Sequence, residues 1–453
     1  MTVFKIRAEK QEGGTKDFIY NTESSILTDS DGIPVVKPLI KKDAVETISA
    51  PFSKDIPLTK SKNVKTLKIQ LGLTCNFECG YCSQRFVPRA DETTQRDIED
   101  FISKIDKAFE ININKLKIEY WGGEPFVYWK TFKPLAEILR KKFPTALMLV
   151  ITNGSLLDKE KIDWLYDLGF HVAISHDGPG QSFRGPDPLA DEKVREATLY
   201  MYSRFRPENR MSFNSMLHKG NQSRSAIIEF FKEFTGDETV VVGEGSVIDA
   251  YDSDAAGMSF NTKQEQFEFR RKSLEELLFK DLRNFNRLTI IDQFIQTIVN
   301  QTSIKSSGQK CGMDNPNNIA IDLKGNVLTC QNVSSVSVGP NGESHYCGSI
   351  EKLEDVKITT STHWSVRDHC GECPVIHLCH GSCMFLAGDL WTHSCNNAYS
   401  EHIVYLSYAL YKLTGYIPIM IEADHLPNER KDIWGNVLEH KEYTKKFIPI
   451  KSI

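Results

Sequence analysis

The chain has no apolar run long enough to cross a membrane. Its longest candidate, Ile403 to Ile421, is broken by Lys412, Gly415 and Pro418 and reads as a buried helix and loop. Residues 1–10 are charged and lack the apolar centre of a secretion signal, so the expected location is the cytoplasm. Positive charge is not in excess either. The formal net charge of −5 excludes a general nucleic-acid or anionic-membrane binder. The most informative absence is cysteine itself, missing from 83 to 310 in a 453-residue chain that has eleven. Three lie at 75, 79 and 82, and eight lie between Cys311 and Cys395. Core thiols would scatter, whereas metal ligands cluster, and a cytoplasmic setting argues against disulfides. Hydrophobic residues at 40% and charged residues at 25% are ordinary globular usage, and the length calls for two or three domains.

Cys75, Cys79 and Cys82 follow a C-x3-C-x2-C pattern directly after the alternating run Leu67, Ile69, Leu71. A strand therefore delivers a tight loop with three thiols. Zinc and iron–sulfur sites normally take four protein ligands, so three leave a metal position open. From 66 to about 250 strand and helix patterns alternate. Strands are expected at 67–71, 116–120, 147–151, 171–175, 211–217 and 239–242, and helices at 98–109, 132–139, 159–168, 192–205 and 223–234. Such a series implies an α/β fold with a parallel sheet, a partial (β/α)6 TIM-like barrel with its binding residues at the carboxyl ends of the strands. The expected divisions are a β-rich extension over 1–65, with short strands at 17–20 and 33–40, the barrel over 66–260 and a helical bridge over 261–305. A small cysteine-rich domain over 306–415, with a closing helix from 400 to 413, and a tail over 416–453 complete the chain.

These residues resemble the radical S-adenosylmethionine superfamily. In that family the first strand ends in such a loop and the second in Gly-Gly-Glu-Pro, here Gly122 to Pro125. A later strand ends in Ser-x-Asp-Gly, here Ser175 to Gly178. The resemblance implies that Cys75, Cys79 and Cys82 hold a 4Fe-4S cluster with one free iron. S-adenosylmethionine would chelate that iron, and its reductive cleavage would yield a 5′-deoxyadenosyl radical. Implied contacts to the cosubstrate are Tyr81 near the adenine, Gly122, Gly123 and Glu124 of the second motif, and Ser175 near the ribose or carboxylate. Arg184 is the candidate partner for the methionine carboxylate, although its setting, Ser182 to Pro186, departs from the commoner form; a solvated arginine is the other reading. Asn153 is either a further contact or a loop cap.

The second group has Cys311, Gly325 and Cys330 as C-x13-G-x4-C, then Cys370, Cys373, Cys379 and Cys383 as C-x2-C-x5-C-x3-C, and finally Cys395. It resembles the SPASM extension of peptide-modifying radical enzymes, which carries two auxiliary 4Fe-4S clusters; a zinc ribbon is the alternative. The resemblance places Cys370, Cys373, Cys379 and Cys395 on the distal cluster and Cys311, Cys330 and Cys383 on the nearer one. Cys347 is its fourth ligand or a buried free thiol. With Cys347 included, three 4Fe-4S clusters use all eleven cysteines.

No cysteine then remains to return a hydrogen atom to substrate, which favours net oxidation over epimerisation. Sulfatase maturases of this type usually carry aspartate after the cysteine of G-x4-C; here Gln331 stands there and cannot take a proton. The expected activity is that of a radical maturase installing an oxidative cross-link in a ribosomally made precursor peptide, with an external flavodoxin- or ferredoxin-type electron donor. Formylglycine formation, epimerisation and a non-catalytic multi-cluster electron carrier are the alternatives. His176, Asp177 and His218 are candidate catalytic groups, with structural hydrogen bonding the competing role for both histidines.

Overall fold

The computed structural model describes residues 2–10, 12–37, 53–92, 94–109, 116–243, 245–360 and 362–435. The strands in chain order are β1 (Val3–Glu9), β2 (Thr15–Asn21), β3 (Ile26–Asp29), β4 (Leu58–Thr59), β5 (Thr66–Gln70), β6 (Lys117–Trp121), β7 (Leu147–Thr152), β8 (Phe170–Ser175) and β9 (Met211–Asn214). They continue as β10 (Asn318–Asp322), β11 (Asn326–Leu328), β12 (Tyr346–Ser349), β13 (Lys357–Ile358) and β14 (Ile417–Glu422). Helices α1 (Ile98–Ala108), α2 (Trp129–Lys142), α3 (Lys159–Asp167), α4 (Glu192–Phe205) and α5 (Arg224–Thr235) alternate with the barrel strands. Beyond them lie α6 (Ser253–Met258), α7 (Lys263–Phe279), α8 (Thr289–Val299), α9 (Ile376–Cys379), α10 (Gly388–Thr414) and α11 (Asn428–Lys431).

The main sheet has eight strands in the order β12-β11-β10-β5-β6-β7-β8-β9. From β10 to β9 every neighbouring pair is parallel, and β11 and β12 close one edge antiparallel. Alternation along each strand sorts the side chains. Leu67, Ile69, Ile118, Tyr120, Met148, Val150, Val172 and Phe213 are buried on the helix side. Tyr120 packs on Phe132 of α2, and Phe213 stacks on Phe231 of α5. Caps fix the helix starts: Asp158, Asp191 and Ser223 accept backbone N–H groups in the first turns of α3, α4 and α5.

The partial barrel is the one read from the sequence, with one substitution among its strands. Residues 239–242 form no strand; Val242 makes single parallel bridges to Phe213 and Phe285. The sixth parallel strand is β10, from the cysteine-rich region, lying beside β5. The N-terminal strands form a second, antiparallel sheet, β14-β1-β2-β3, so residues 417–422 pair with the start of the chain. Over residues 33–37 the strand expected at 33–40 reduces to one bridge, Thr28 to Pro34; residues 38–40 lie outside the described residues. The closing helix begins earlier than its apolar pattern, at Gly388, and so carries Cys395. Among the described residues no helix is long and apolar enough to cross a membrane.

Candidate active site

The three-thiol loop is pinned by the end of β6. Leu71 donates to the Trp121 carbonyl at 2.8 Å, Gly123 to Gly72 at 3.1 Å and Glu124 to Thr74 at 3.0 Å. A Cβ on Gly123 would stand 2.3 Å from the Thr74 carbonyl oxygen, so this glycine admits the cluster loop's own backbone; Gly122 similarly lies against Gly72. The Glu124 carboxylate is buried and ties strand ends together, accepting from Phe126 N–H at 3.1 Å, Thr152 Oγ1 at 2.7 Å and Asn153 N–H at 2.7 Å. Asn153 in turn donates to Asn76 Oδ1 at 2.9 Å, within the thiol loop. The Gly-Gly-Glu motif and Asn153 thus build the loop that presents the thiols.

Backbone N–H groups of Phe77 and Gln84 donate to the sulfurs of Cys75 and Cys82. Burial pushes all three thiols up, and they lie close enough that the charge of one raises another. Arg184 acts oppositely on each of the three. Its Nη1 donates to the Tyr81 hydroxyl at 2.9 Å and lies 3.8 Å from Asp177. Burial alone would lower the Arg184 pKa, but the neighbouring Tyr81 and Asp177 raise it. Its Nε is buried without a hydrogen-bond partner. A fixed cation with an unused donor, facing three thiols, suits an anionic group bound at the open position.

The strand-end residues after β8 divide by role. Ser175 is half-buried opposite Asn214. His176 is fully buried, with Nε2 2.9 Å from Asp187 and Nδ1 accepting from Gly178 N–H, and it stacks on Phe230. Both of its nitrogens are in use, so it acts as a structural residue. Asp177 accepts from the Tyr81 hydroxyl and from Met216 N–H at 2.9 Å. His218 leaves Nε2 unpartnered, 3.8 Å from Asp177, beside the Tyr81 and Phe183 rings.

The eight later thiols are all free, and seven of them fall into two sets. Cys370, Cys373, Cys379 and Cys395 act on one another electrostatically. Cys311 feels Cys330, Cys330 feels Cys383, and Cys383 feels Cys311. Cys347 packs against the small cluster of Met313, Ala320, Leu328, Ile358 and Met384 and, like Cys311, acts on buried Lys60. Burial, the first cause in each case, pushes Cys330 up to about 11 and Cys347 and Cys383 to about 12. Among the described residues no three of His, Cys, Asp and Glu converge on a single-ion site. A cubane instead distributes its thiolates over separate irons.

Several residues at these sites were not singled out from the sequence. Lys68 and Glu119 lie opposite the helix-facing side of β5 and β6, 3.7 Å apart. Lys68 also reaches Gln331 Oε1 at 3.4 Å, and Gln84 of the thiol loop donates to Asn332 at 3.2 Å, joining the barrel to the cysteine-rich region. Tyr251 hydrogen-bonds Cys383. Charged residues inside otherwise apolar strands were the legible signal for Lys68 and Glu119; Tyr251 had none.

Comparison with known proteins places this geometry. The Radical SAM superfamily profile matches residues 69–225. The radical SAM cyclopropyl synthase TigE of Paramaledivibacter caminithermalis is 21% identical over 193 residues, 39% of this chain and 41% of that protein. This chain therefore matches less than half the length of TigE. A cysteine-type anaerobic sulfatase-maturating enzyme of Clostridium perfringens is 21% identical over 348 residues, 68% of this chain and 85% of that protein. The structure of anSMEcpe with bound AdoMet shares the fold with a TM-score of 0.56 at 18% identity, over 77% of this chain and 98% of that one. The profile begins inside β5 and runs into α5, so it takes in the thiol loop and the strand ends facing it: the chain belongs to the radical SAM superfamily and is one of its enzymes.

Proposed function

We propose that this enzyme modifies a ribosomally made peptide oxidatively, installing a cross-link within it, with S-adenosylmethionine and three 4Fe-4S clusters as cofactors. The observation that supports this most is the gathering of ten of the eleven free thiols into three groups, of three, three and four. In this reading Cys75, Cys79 and Cys82 hold the cluster that binds S-adenosylmethionine. Cys311, Cys330, Cys347 and Cys383 hold the nearer auxiliary cluster, and Cys370, Cys373, Cys379 and Cys395 the distal one. When bound, the first cluster and its cosubstrate supply a 5′-deoxyadenosyl radical.

The chain's own residues bind and orient. The unused Nε of Arg184 takes the methionine carboxylate. Tyr81, fixed by Asp177 and Arg184, walls the nucleoside, and Ser175 contacts the ribose. Lys68 and Glu119 line the barrel interior below, where the peptide side chain enters. With Cys347 counted as a ligand of the nearer cluster, no thiol is left to return a hydrogen atom to the substrate, which favours oxidation over epimerisation. The reducing electron comes from a flavodoxin- or ferredoxin-type donor.

Formylglycine formation is the second reading, favoured by the similarity to the C. perfringens sulfatase-maturating enzyme. The Gln331 carboxamide, which accepts from Lys68, offers no base for it. The test is co-expression with a short peptide encoded beside the gene, followed by mass spectrometry. Loss of two hydrogens per cross-link, with no aldehyde that captures a hydrazide, supports the proposal. A captured aldehyde supports the second reading, and an unchanged mass with a D-residue overturns both.

A further inference from the structure

Resting on the reading above, one consequence concerns the distal thiol group and the N-terminal sheet. One donor reaches these thiols from far along the chain, and an unpartnered buried hydroxyl lies on the sheet packed beside them. Arg430, in α11, places Nη2 3.1 Å from Cys395 Sγ and 3.0 Å from Asn396 Oδ1, its guanidinium 4.8 Å from the centre of the Tyr399 ring. Tyr20, in β2, is fully buried, and its hydroxyl has no hydrogen-bond partner. Tyr20 lies two residues before Thr22, in the apolar core against which Cys373 and Cys379 also pack. The sheet is fastened there. His377 Nε2, in α9, donates to the Thr22 carbonyl at 2.6 Å, and Ser25 Oγ lies 3.0 Å from the same nitrogen. The turn between β2 and β3 therefore sits on the helix that ends in Cys379.

We propose that Arg430 and Tyr20 donate hydrogen bonds to the sulfurs of the distal cluster and raise its reduction potential. Reduction adds negative charge to the cluster, and donors aimed at its sulfurs stabilise the reduced state more than the oxidised one. Burial strengthens the effect, because little water screens it. An unsatisfied buried hydroxyl costs stability, and a cluster sulfur is the acceptor that removes that cost. The N-terminal sheet and α11 are thus walls of a redox site, and they bias the surplus electron toward the distal position.

The test is an EPR-monitored redox titration of the anaerobically reconstituted full chain, with the distal signal assigned by its absence from Cys370→Ala. Tyr20→Phe removes one oxygen and leaves the ring packed, and Arg430→Gln removes the cation. Tyr120→Phe deletes another buried unpartnered hydroxyl, on the barrel's helix side, and is the control. The expected result is a lower distal midpoint in Tyr20→Phe and in Arg430→Gln, with the other midpoints fixed and Tyr120→Phe unchanged. Unchanged distal midpoints in variants that keep their iron overturn the proposal. If Arg430→Gln loses the cluster, Tyr20→Phe decides alone. A wild type that assembles no distal cluster overturns the underlying reading as well, and the iron count reveals this before any titration.

Discussion

Replacing Gly123 by alanine tests whether the end of β6 seats the thiol loop. The added Cβ would lie 2.3 Å from the Thr74 oxygen, 2.4 Å from its carbon and 2.7 Å from Cys75 N, where ordinary contact starts at 3.4 Å. These are backbone atoms, so no side chain can swing aside. The loop must retreat by about 1 Å, an overpacking that costs about 1–3 kcal/mol. The hydrogen bond from Glu124 N–H to Thr74 O stretches with it, adding about 1 kcal/mol. A loss of about 2–4 kcal/mol lowers the fraction of correctly seated loops by a factor of about 30 or more. The assay is iron content, S-adenosylmethionine binding by equilibrium dialysis and 5′-deoxyadenosine formation, beside Gly257→Ala, whose Cβ meets nothing within 4 Å. Gly123→Ala should lose the S-adenosylmethionine-binding cluster and its cleavage activity while Gly257→Ala keeps both. Wild-type iron and cleavage in Gly123→Ala would refute the reasoning.

Four further outcomes are expected. Arg184→Met should weaken S-adenosylmethionine binding by about 10-fold or more, the loss of a charge-assisted hydrogen bond worth about 1.5–3 kcal/mol, read by calorimetry; an unchanged Kd would remove Arg184 from the site. His176→Gln should lower the melting temperature through the lost stack on Phe230 and contact with Asp187, yet leave 5′-deoxyadenosine formation per folded molecule unchanged. Cys347→Ala should reduce bound iron by up to about four per chain, by colorimetric iron assay, with S-adenosylmethionine cleavage retained. Burial lowers His402 from 6.5 to about 3, so its contribution to stability is complete above pH 6.5 and lost as pH falls toward the folded value. His402→Gln, neutral throughout, should flatten the fall of melting temperature between pH 6.5 and 4.5.

What the sequence disclosed follows the reach of its patterns. The thiol loop and the strand-end motifs were legible because each stands at the end of an alternating apolar run, and a parallel sheet aligns those ends. The run Thr239 to Val242 was read as a sixth strand. It makes only bridges, held between Phe213 and Phe285. β10 was hidden because its partner, β5, lies some 250 residues upstream, and pairing at that distance leaves no local mark. The same applies to β1 and β14, which join the two ends of the chain. Glu124 was read as a cosubstrate contact and Asn153 as either a contact or a loop cap; their hydrogen bonds show both fastening the loop, a role that motif position alone did not assign to Glu124. Arg430 carried no motif at all; only the fold brings it to Cys395.

The central claim is that one open iron site at Cys75, Cys79 and Cys82 works beside two closed auxiliary clusters. The most direct measurement compares iron content and 5′-deoxyadenosine formation, under anaerobic reconstitution with S-adenosylmethionine and reductant, between the wild type and a variant with these three cysteines replaced by alanine. The account predicts about twelve irons and 5′-deoxyadenosine for the wild type, and about eight irons and none for the variant. A variant that still forms 5′-deoxyadenosine, or a wild type holding only about four irons, would contradict it.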